Sequence, residues 1–331
     1  MPALEGITTM YDIAARLKLS GSADDNLQAN MIEQQAQTND IWRVLHMQAC
    51  NDNTGEKVMV RESLPEVAWR MINKGTKPTK TGSKLARYTT GGIEDLSFVD
   101  ERILNLYKSQ GAKDAYRMSE IKGKQIAATN QMSSTIFYGD EKVNPVGFTG
   151  LGAFFNTLNG KGMWKEQVVD AGGTGNNLTS IWFIAPGHDS LYGIYPEGTN
   201  AGYLYRDNGR VSMLDEEGGK IYGFEGQINW DMGLAVRDPR YIVRLANVDV
   251  TNFNATDFKA KMIDSYDRIF DNRYPIYVLA NRKARTYMDI MAANGTNAFT
   301  SKDWYGQQIT HYWGSPILLN DAITCKEAQV R

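Results

Sequence analysis

Two cysteines in 331 residues, Cys50 and Cys325, are too few for a disulfide framework, so a reduced, cytosolic chain is the expectation. The three histidines, His46, His188 and His311, fall on separate expected elements, and no Cys-x-x-Cys pair occurs. Such spacing offers no zinc site. The best apolar runs, such as "IWFIAP" at 181–186, fall far short of the roughly 20 residues a membrane helix needs. The opening "MPALEGITTMYDIAARL" has neither a basic segment nor an apolar core, and reads as something other than a secretory signal. A net charge of -2 means the chain as a whole does not advertise nucleic-acid binding.

Motifs that carry chemistry are equally sparse. "DAGGTGNNLTS" (170–180) is glycine-rich, but a strand follows it and no lysine is present, so it reads as a turn and not a phosphate cradle. "GHDS" (187–190) sets His, Asp and Ser side by side, whereas the partners of a catalytic triad converge from separate elements. The acids of "LDEEGGK" (214–220) sit in a turn signature. No catalytic residue, metal ligand or cofactor site is therefore expected, and the protein's work falls to its surfaces.

What the chain does have is a local excess of positive charge. Residues 57–87 carry eight Lys or Arg against Glu62 and Glu66, a local +6 on a body of about -8. A basic segment on an acidic body suits contact with another acidic surface, including a second copy; a solvated basic loop is the plain alternative. The same segment reads as two extended runs, "VMVRESLPEVAW" and "KLARYTTGGIEDLSFV", around the flexible "NKGTKPTKTGSK". Such a ribbon protrudes, and Leu64, Pro65 and Trp69 in its first strand need a surface to cover them.

Elsewhere the patterning is that of an α+β body. Residues 1 to about 50 are polar and helix-compatible, and "NLQANMIEQQAQTNDIWRVL" places Leu27, Met31, Gln34, Thr38, Ile41 and Leu45 on a thin helical stripe, the mark of an arm lying on something else. From 111 to about 138, Met118, Ile121, Gln125, Ala128, Met132 and Ile136 recur at helical spacing, and no proline falls between Pro78 and Pro145. Strands are expected at "TSIWFIAP", "SLYGIYP" and "GKIYGFEGQINW", and "GLAVRDPRYIVRLANV" reads as a further strand pair turned at Asp238-Pro239. Thr256 and Asn281 are the expected N-caps of two later helices, and the late strand in "YWGSPILLNDAI" (312–323) closes a mixed sheet.

Five blocks in one order carry a family likeness: "LPEVAWRMINKG" (64–75), "DAYRMSEIKGKQIAATNQMSSTIFYGD" (114–140), "GFTGLGAFFN" (147–156), "VVDAGGTGNNLTSIWFIAPGHDSLYGIYPEG" (168–198) and "WDMGLAVRDPRYIVRLANV" (230–248). Together they resemble the major capsid proteins of tailed bacteriophages, particularly a short-tailed group. The resemblance implies the Hong-Kong-97-like (Johnson) fold, with an N-terminal arm (1–50) and an extended loop (51–100). The peripheral domain would take 101–145 and 215–250, with a spine helix at 111–138; the axial domain and remaining peripheral strands would take 146–214 and 251–331. It implies a homo-oligomer of pentamers and hexamers around double-stranded DNA, with scaffold, decoration and portal proteins as further partners. It also implies assembly in the bacterial host cytoplasm and residence in the virion capsid.

Contacts between copies are expected at Arg61, Leu64, Pro65, Trp69, Arg70, Lys74, Lys77, Lys80, Lys84 and Arg87. Some family members crosslink a lysine to a neighbour's asparagine; no asparagine or acid is placed for that here, so these lysines read as docking charges. An encapsulin-like nanocompartment shell shares the fold, and a soluble α+β enzyme is the reading from another class.

Overall fold

A computed structural model of the chain describes residues 9–20, 40–160, 164, 166–215, 217–251, 255–271, 273–294, 300–302 and 308–331. Its first part runs through α1 (Met10–Ser20), α2 (Ile41–Val44), β1 (Met47–Ala49), β2 (Gly55–Ser63), β3 (Gly82–Asp100), α3 (Glu101–Leu104) and α4 (Gln110–Tyr138). Then come α5 (Leu151–Phe154), β4 (Val168–Asp170), β5 (Leu178–Ile184), β6 (Leu191–Tyr195), β7 (Leu204–Leu214), β8 (Lys220–Val236) and β9 (Ile242–Asp249). The last part holds α6 (Ala255–Asp267), β10 (Tyr277–Ala280), α7 (Arg282–Asn294), β11 (Thr300–Lys302), β12 (Gln308–Tyr312) and β13 (Ser315–Leu319).

The expected long helix is α4. Ser109 caps it, its hydroxyl accepting from the Ala112 N–H at 3.3 Å, and Gly139 ends it. Its buried stripe is Ile121, Gln125, Ala128, Met132 and Ile136, as the periodicity requires, with Phe137 added. This stripe covers a sheet ordered β1-β6-β8-β3-β2, with β7 also paired to β8. Trp42 pins the N-terminal segment there, its indole N–H donating to Ser133 Oγ at 2.9 Å and its ring 4.8 Å from that of Trp230. Within the expected helical stripe of the N-terminal arm, Leu27, Met31, Gln34 and Thr38 lie outside the described residues, while Ile41 and Leu45 are fully buried.

A second, mixed sheet is ordered β11-β12-β13-β10-β5-β9-β4. Its middle strand β5 is buried along its whole length. Alternation sends Trp182 and Ile184 into the core shared with the first sheet, and Ile181 and Phe183 towards Phe258 and Met262 of α6 and Ala284 and Met288 of α7. Each such fully buried large apolar side chain contributes ~1.5–3 kcal/mol. The late strand β13 is an internal member, parallel to β10 and antiparallel to β12.

Two expectations are corrected, and one strand is added. The segment around Asp238-Pro239 does not turn a strand pair, because β8 and β9 belong to different sheets. Pro239 has no N–H to continue a ladder, and the Asp238 carboxylate accepts the Arg240 N–H at 3.0 Å, closing a one-turn 3-10 helix that carries the chain across. Helix α6 begins at Ala255, so Thr256 is not its cap; the Thr256 side chain lies outside the described residues. The strand β7 was not expected from its sequence, "LYRDNGRVSML", which is mostly exposed and broken by a bulge at Asp207 to Gly209, with Gly209 at φ 74°.

The Asn281 cap of α7 is present: its Oδ1 accepts the Ala284 N–H at 2.8 Å, and its Nδ2 donates to Thr179 Oγ1 at 2.7 Å. Asn281→Ala is expected to cost ~1–2 kcal/mol through the lost cap alone, read as a lower urea midpoint of the unassembled protein. An unchanged midpoint would remove the cap from the account.

After β13 the chain folds back across β5 and β9 of the second sheet. Glu327 is buried with Arg244, whose Nη2 donates to Glu327 Oε2 at 2.8 Å, whose Nε donates to Ser180 Oγ at 2.9 Å and whose Nη1 donates to the Phe155 carbonyl at 2.8 Å. Ser180 Oγ donates to the same carboxylate at 2.5 Å, and the Tyr138 hydroxyl at the end of α4 donates to Oε1 at 2.6 Å. Burial first, and then the Glu327 charge, pushes the Tyr138 phenol far above its ordinary range, so it stays a donor. Val330 N–H donates to Asn247 Oδ1 at 2.8 Å, completing the latch.

Candidate assembly surface

The ribbon forms, but it is shorter than its sequence suggests. β2 and β3 pair antiparallel from Gly55 opposite Thr89 to Ser63 opposite Gly82, with an irregularity between Arg61 and Ser63. The first strand therefore stops before Leu64, Pro65 and Trp69, a correction to the expected run through Trp69. Pro65 offers no N–H to a ladder and biases the residue before it, and among the described residues β2 is the edge of its sheet. Residues 64–81 carry neither helix nor strand.

The base of the ribbon is firmly held. Val58, Val60 and Tyr88 are buried, and the Tyr88 hydroxyl donates to the Val236 carbonyl at 2.6 Å. Burial lifts the Tyr88 phenol to about 12. Asp52 receives Lys57 Nζ at 3.0 Å and Arg87 Nε at 3.4 Å, and its hydrogen bond from Lys57 is the main reason its carboxyl lies below the usual range.

The tip has no core of its own. Trp69 is 101% exposed and Ile72 92%, and Leu64, Val67 and Met71 are exposed with them. Its internal order is one turn: Arg70 Nε donates to the Lys74 carbonyl at 3.0 Å, the Lys74 N–H donates to the Met71 carbonyl at 3.2 Å, and Asn73 takes φ 66°. Asn tolerates that left-handed conformation better than most residues.

Of the expected contact residues, Leu64, Pro65, Trp69, Arg70, Lys74, Lys77 and Lys80 share the tip, and Lys84 sits on β3 opposite Val60. Among the described residues none of Lys74, Lys77, Lys80 and Lys84 pairs with a carboxylate. Arg87 is lower, on the ribbon's base, engaged by Asp52 of its own chain; the Arg61 side chain lies outside the described residues. Sequence reading missed Val67, Met71 and Ile72, and also Met59 and Leu85, which face each other across the ribbon and are exposed. The signal was present: five large apolar residues fall between 64 and 72, directly before the polar stretch "NKGTKPTKTGSK".

The residues of "GHDS" turn to separate partners. His188 Nδ1 meets Gln48 Oε1 at 2.7 Å, Asp189 pairs with Arg237 at 3.3 Å, and Ser190 Oγ donates to the Ala185 carbonyl at 2.5 Å. "DAGGTGNNLTS" turns between β4 and β5, with Gly172 and Gly175 at φ 82° and 114°. Among the described residues no three His, Cys, Asp or Glu gather as metal ligands.

The profile of major capsid protein GP7 matches residues 23–331 of the chain. The chain belongs to that family. It is similar to a chain in the structure of bacteriophage Epsilon15, with 28% identity, a TM-score of 0.65, and coverage of 86% of this chain and 87% of that one. The capsid of bacteriophage JBD30 is similar at 9% identity and TM-score 0.53, covering 84% and 89%, which shows the fold. No curated protein matches. The fold is the Hong-Kong-97-like one, and this capsid protein is a structural component of the shell of a tailed phage, located in the virion capsid.

Proposed function

We propose that this capsid protein closes its shell by laying the β2–β3 ribbon over a neighbouring copy, and that the shell is a lattice of pentamers and hexamers around double-stranded DNA. The carrying observation is the tip, residues 64–81, whose apolar residues are exposed and whose lysines lack carboxylate partners among the described residues. Leu64, Pro65 and Trp69 would anchor, with Arg61, Arg70, Lys74, Lys77, Lys80, Lys84 and Arg87 steering by charge. Residues 1–50 act as the arm, 51–100 as the extended loop, 101–145 and 215–250 as the peripheral domain with its spine helix, and 146–214 with 251–331 as the axial domain and remaining strands. The role is non-catalytic. Assembly takes place in the host cytoplasm, with scaffold, decoration and portal proteins as further partners. Contacts that are individually weak suffice because closure makes them simultaneous.

Electron microscopy of the purified chain tests this reading: uniform closed shells built of five- and six-copy units are expected, and a dilute monomer with its tip folded home overturns it. Charge steering gives a second test. Raising ionic strength from 0.1 to 1 M shortens the screening length from about 10 to about 3 Å, so light scattering should show assembly slowed at least tenfold. A rate indifferent to salt removes the lysines from the mechanism.

A further inference from the structure

Away from the ribbon, the structure marks a site of chemical change in the chain itself. We propose that Asn208 converts spontaneously to a mixture of aspartate and isoaspartate, with the Asp207 carboxylate as the base and water as the co-reactant. The inference goes beyond the shell reading and does not depend on it. Asparagine followed by glycine is where this reaction meets least obstruction, because glycine has no side chain to shield its own amide nitrogen. The chain holds three such pairs, at 159–160, 208–209 and 294–295. The geometry singles out the second.

Asn208 is the extra residue of the β7 bulge. Asp207 pairs with Gly226 and Gly209 with Glu225, and Asn208, between them, has no partner in the ladder. Its backbone can therefore close a ring without shifting the register on either side. The residue is exposed, and nothing stands within 4 Å of where a Cβ on Gly209 would be, so water reaches the site. The Gly209 N–H, whose nitrogen is the nucleophile, donates to Asp207 Oδ1 at 2.9 Å, within the reach required of a general base. Arg117 Nη2 donates to the same oxygen at 2.8 Å and fixes the carboxylate in place. By contrast, among the described residues no carboxylate receives the Gly160 N–H.

The reaction balances without oxidant or reductant. The Gly209 nitrogen gives its proton to Asp207 and bonds to Asn208 Cγ. The Cγ–Nδ2 bond then breaks, and Nδ2 takes that proton and leaves as ammonia. Water opens the cyclic imide at either carbonyl; one route gives aspartate, the other isoaspartate with an extra carbon in the main chain. The product disturbs the fold locally. Asn208 Nδ2 donates to Glu225 Oε1 at 2.7 Å, tying the bulge to β8. Conversion replaces that donor by a carboxylate and sets two like charges against each other across the strands. Because β7 pairs with β8 alone, the bulge opens while the β3–β8 ladder stays closed.

Folded full-length protein, incubated at neutral pH, then digested and read by mass spectrometry at intervals, tests the site. Exchange of NH for O marks conversion, and chromatography separates the two products. Asn208 is expected to convert faster than Asn159, the reference in the same chain. Asp207→Asn keeps an acceptor oxygen but removes the base, so conversion at Asn208 should fall about 100-fold while Asn159 is unchanged. Conversion of Asn208 no faster than that of Asn159 overturns the site. An Asp207→Asn rate equal to wild type, or a fall shared equally by Asn159, overturns it too. Asn208→Asp, which sets the product's carboxylate against Glu225, should speed amide hydrogen exchange along β7; unchanged exchange overturns the structural consequence.

Discussion

Trp69→Ala is expected to abolish shell formation while leaving the unassembled protein as stable as wild type. The side chain is wholly exposed, so truncation removes no buried surface from the folded chain. Substitutions at such surface positions change stability by no more than about 0.5 kcal/mol. An interface tryptophan behaves differently: loss of one that fills a partner's cavity costs ~2–4 kcal/mol per contact. At ~1.4 kcal/mol per tenfold, each contact weakens at least about 25-fold, and a closed lattice repeats that loss at every copy. Shell yield by sedimentation and unfolding by urea separate the two effects. Wild-type shell yield from the variant would end the anchoring role of Trp69.

Arg244→Ala should do the reverse, destabilising the chain before any assembly begins. Arg244 and Glu327 are both buried and meet at 2.8 Å. Removing one partner strands the other as an uncompensated buried charge, at ~3–5 kcal/mol. The carboxylate would keep its bonds from Ser180 and Tyr138, but the Phe155 carbonyl would lose its donor. The expected readout is a lower urea midpoint and faster cleavage after Lys326, because the tail is no longer latched. Replacing both groups by apolar residues of similar size, Arg244→Met with Glu327→Leu, should recover most of the loss, since neither charge is then buried. A single variant within about 1 kcal/mol of wild type would show the latch to be ornamental.

These two residues also mark where sequence reading stops. The spine helix was legible because its stripe recurs every three or four residues, and the Asn281 cap because a capping side chain and its helix are neighbours in the chain. Arg244 and Glu327 are 83 residues apart, and nothing local announces that they meet. β8 and β9 read as one pair because two apolar runs flank Asp238-Pro239 in the chain, whereas which sheet each joins depends on distant partners, β3 and β5. β7 escaped notice because an exposed strand beside β8 has no buried face to impose a period. The ribbon and its cations were visible, but its strand length was not, because pairing ends where the partner's side chains stop supporting it.

Strand β3 is a single uninterrupted element of 19 residues: its first half is the ribbon, and its second half pairs with β8 from Thr90 to Asp100 beneath the long helix. A pull on the outer end therefore travels down covalent backbone and reaches the ladder lengthwise. Loaded in that direction, the cross-strand hydrogen bonds share the strain and must yield together, whereas a perpendicular tug would unzip them singly. The protein is thus built to bear tension along its reach.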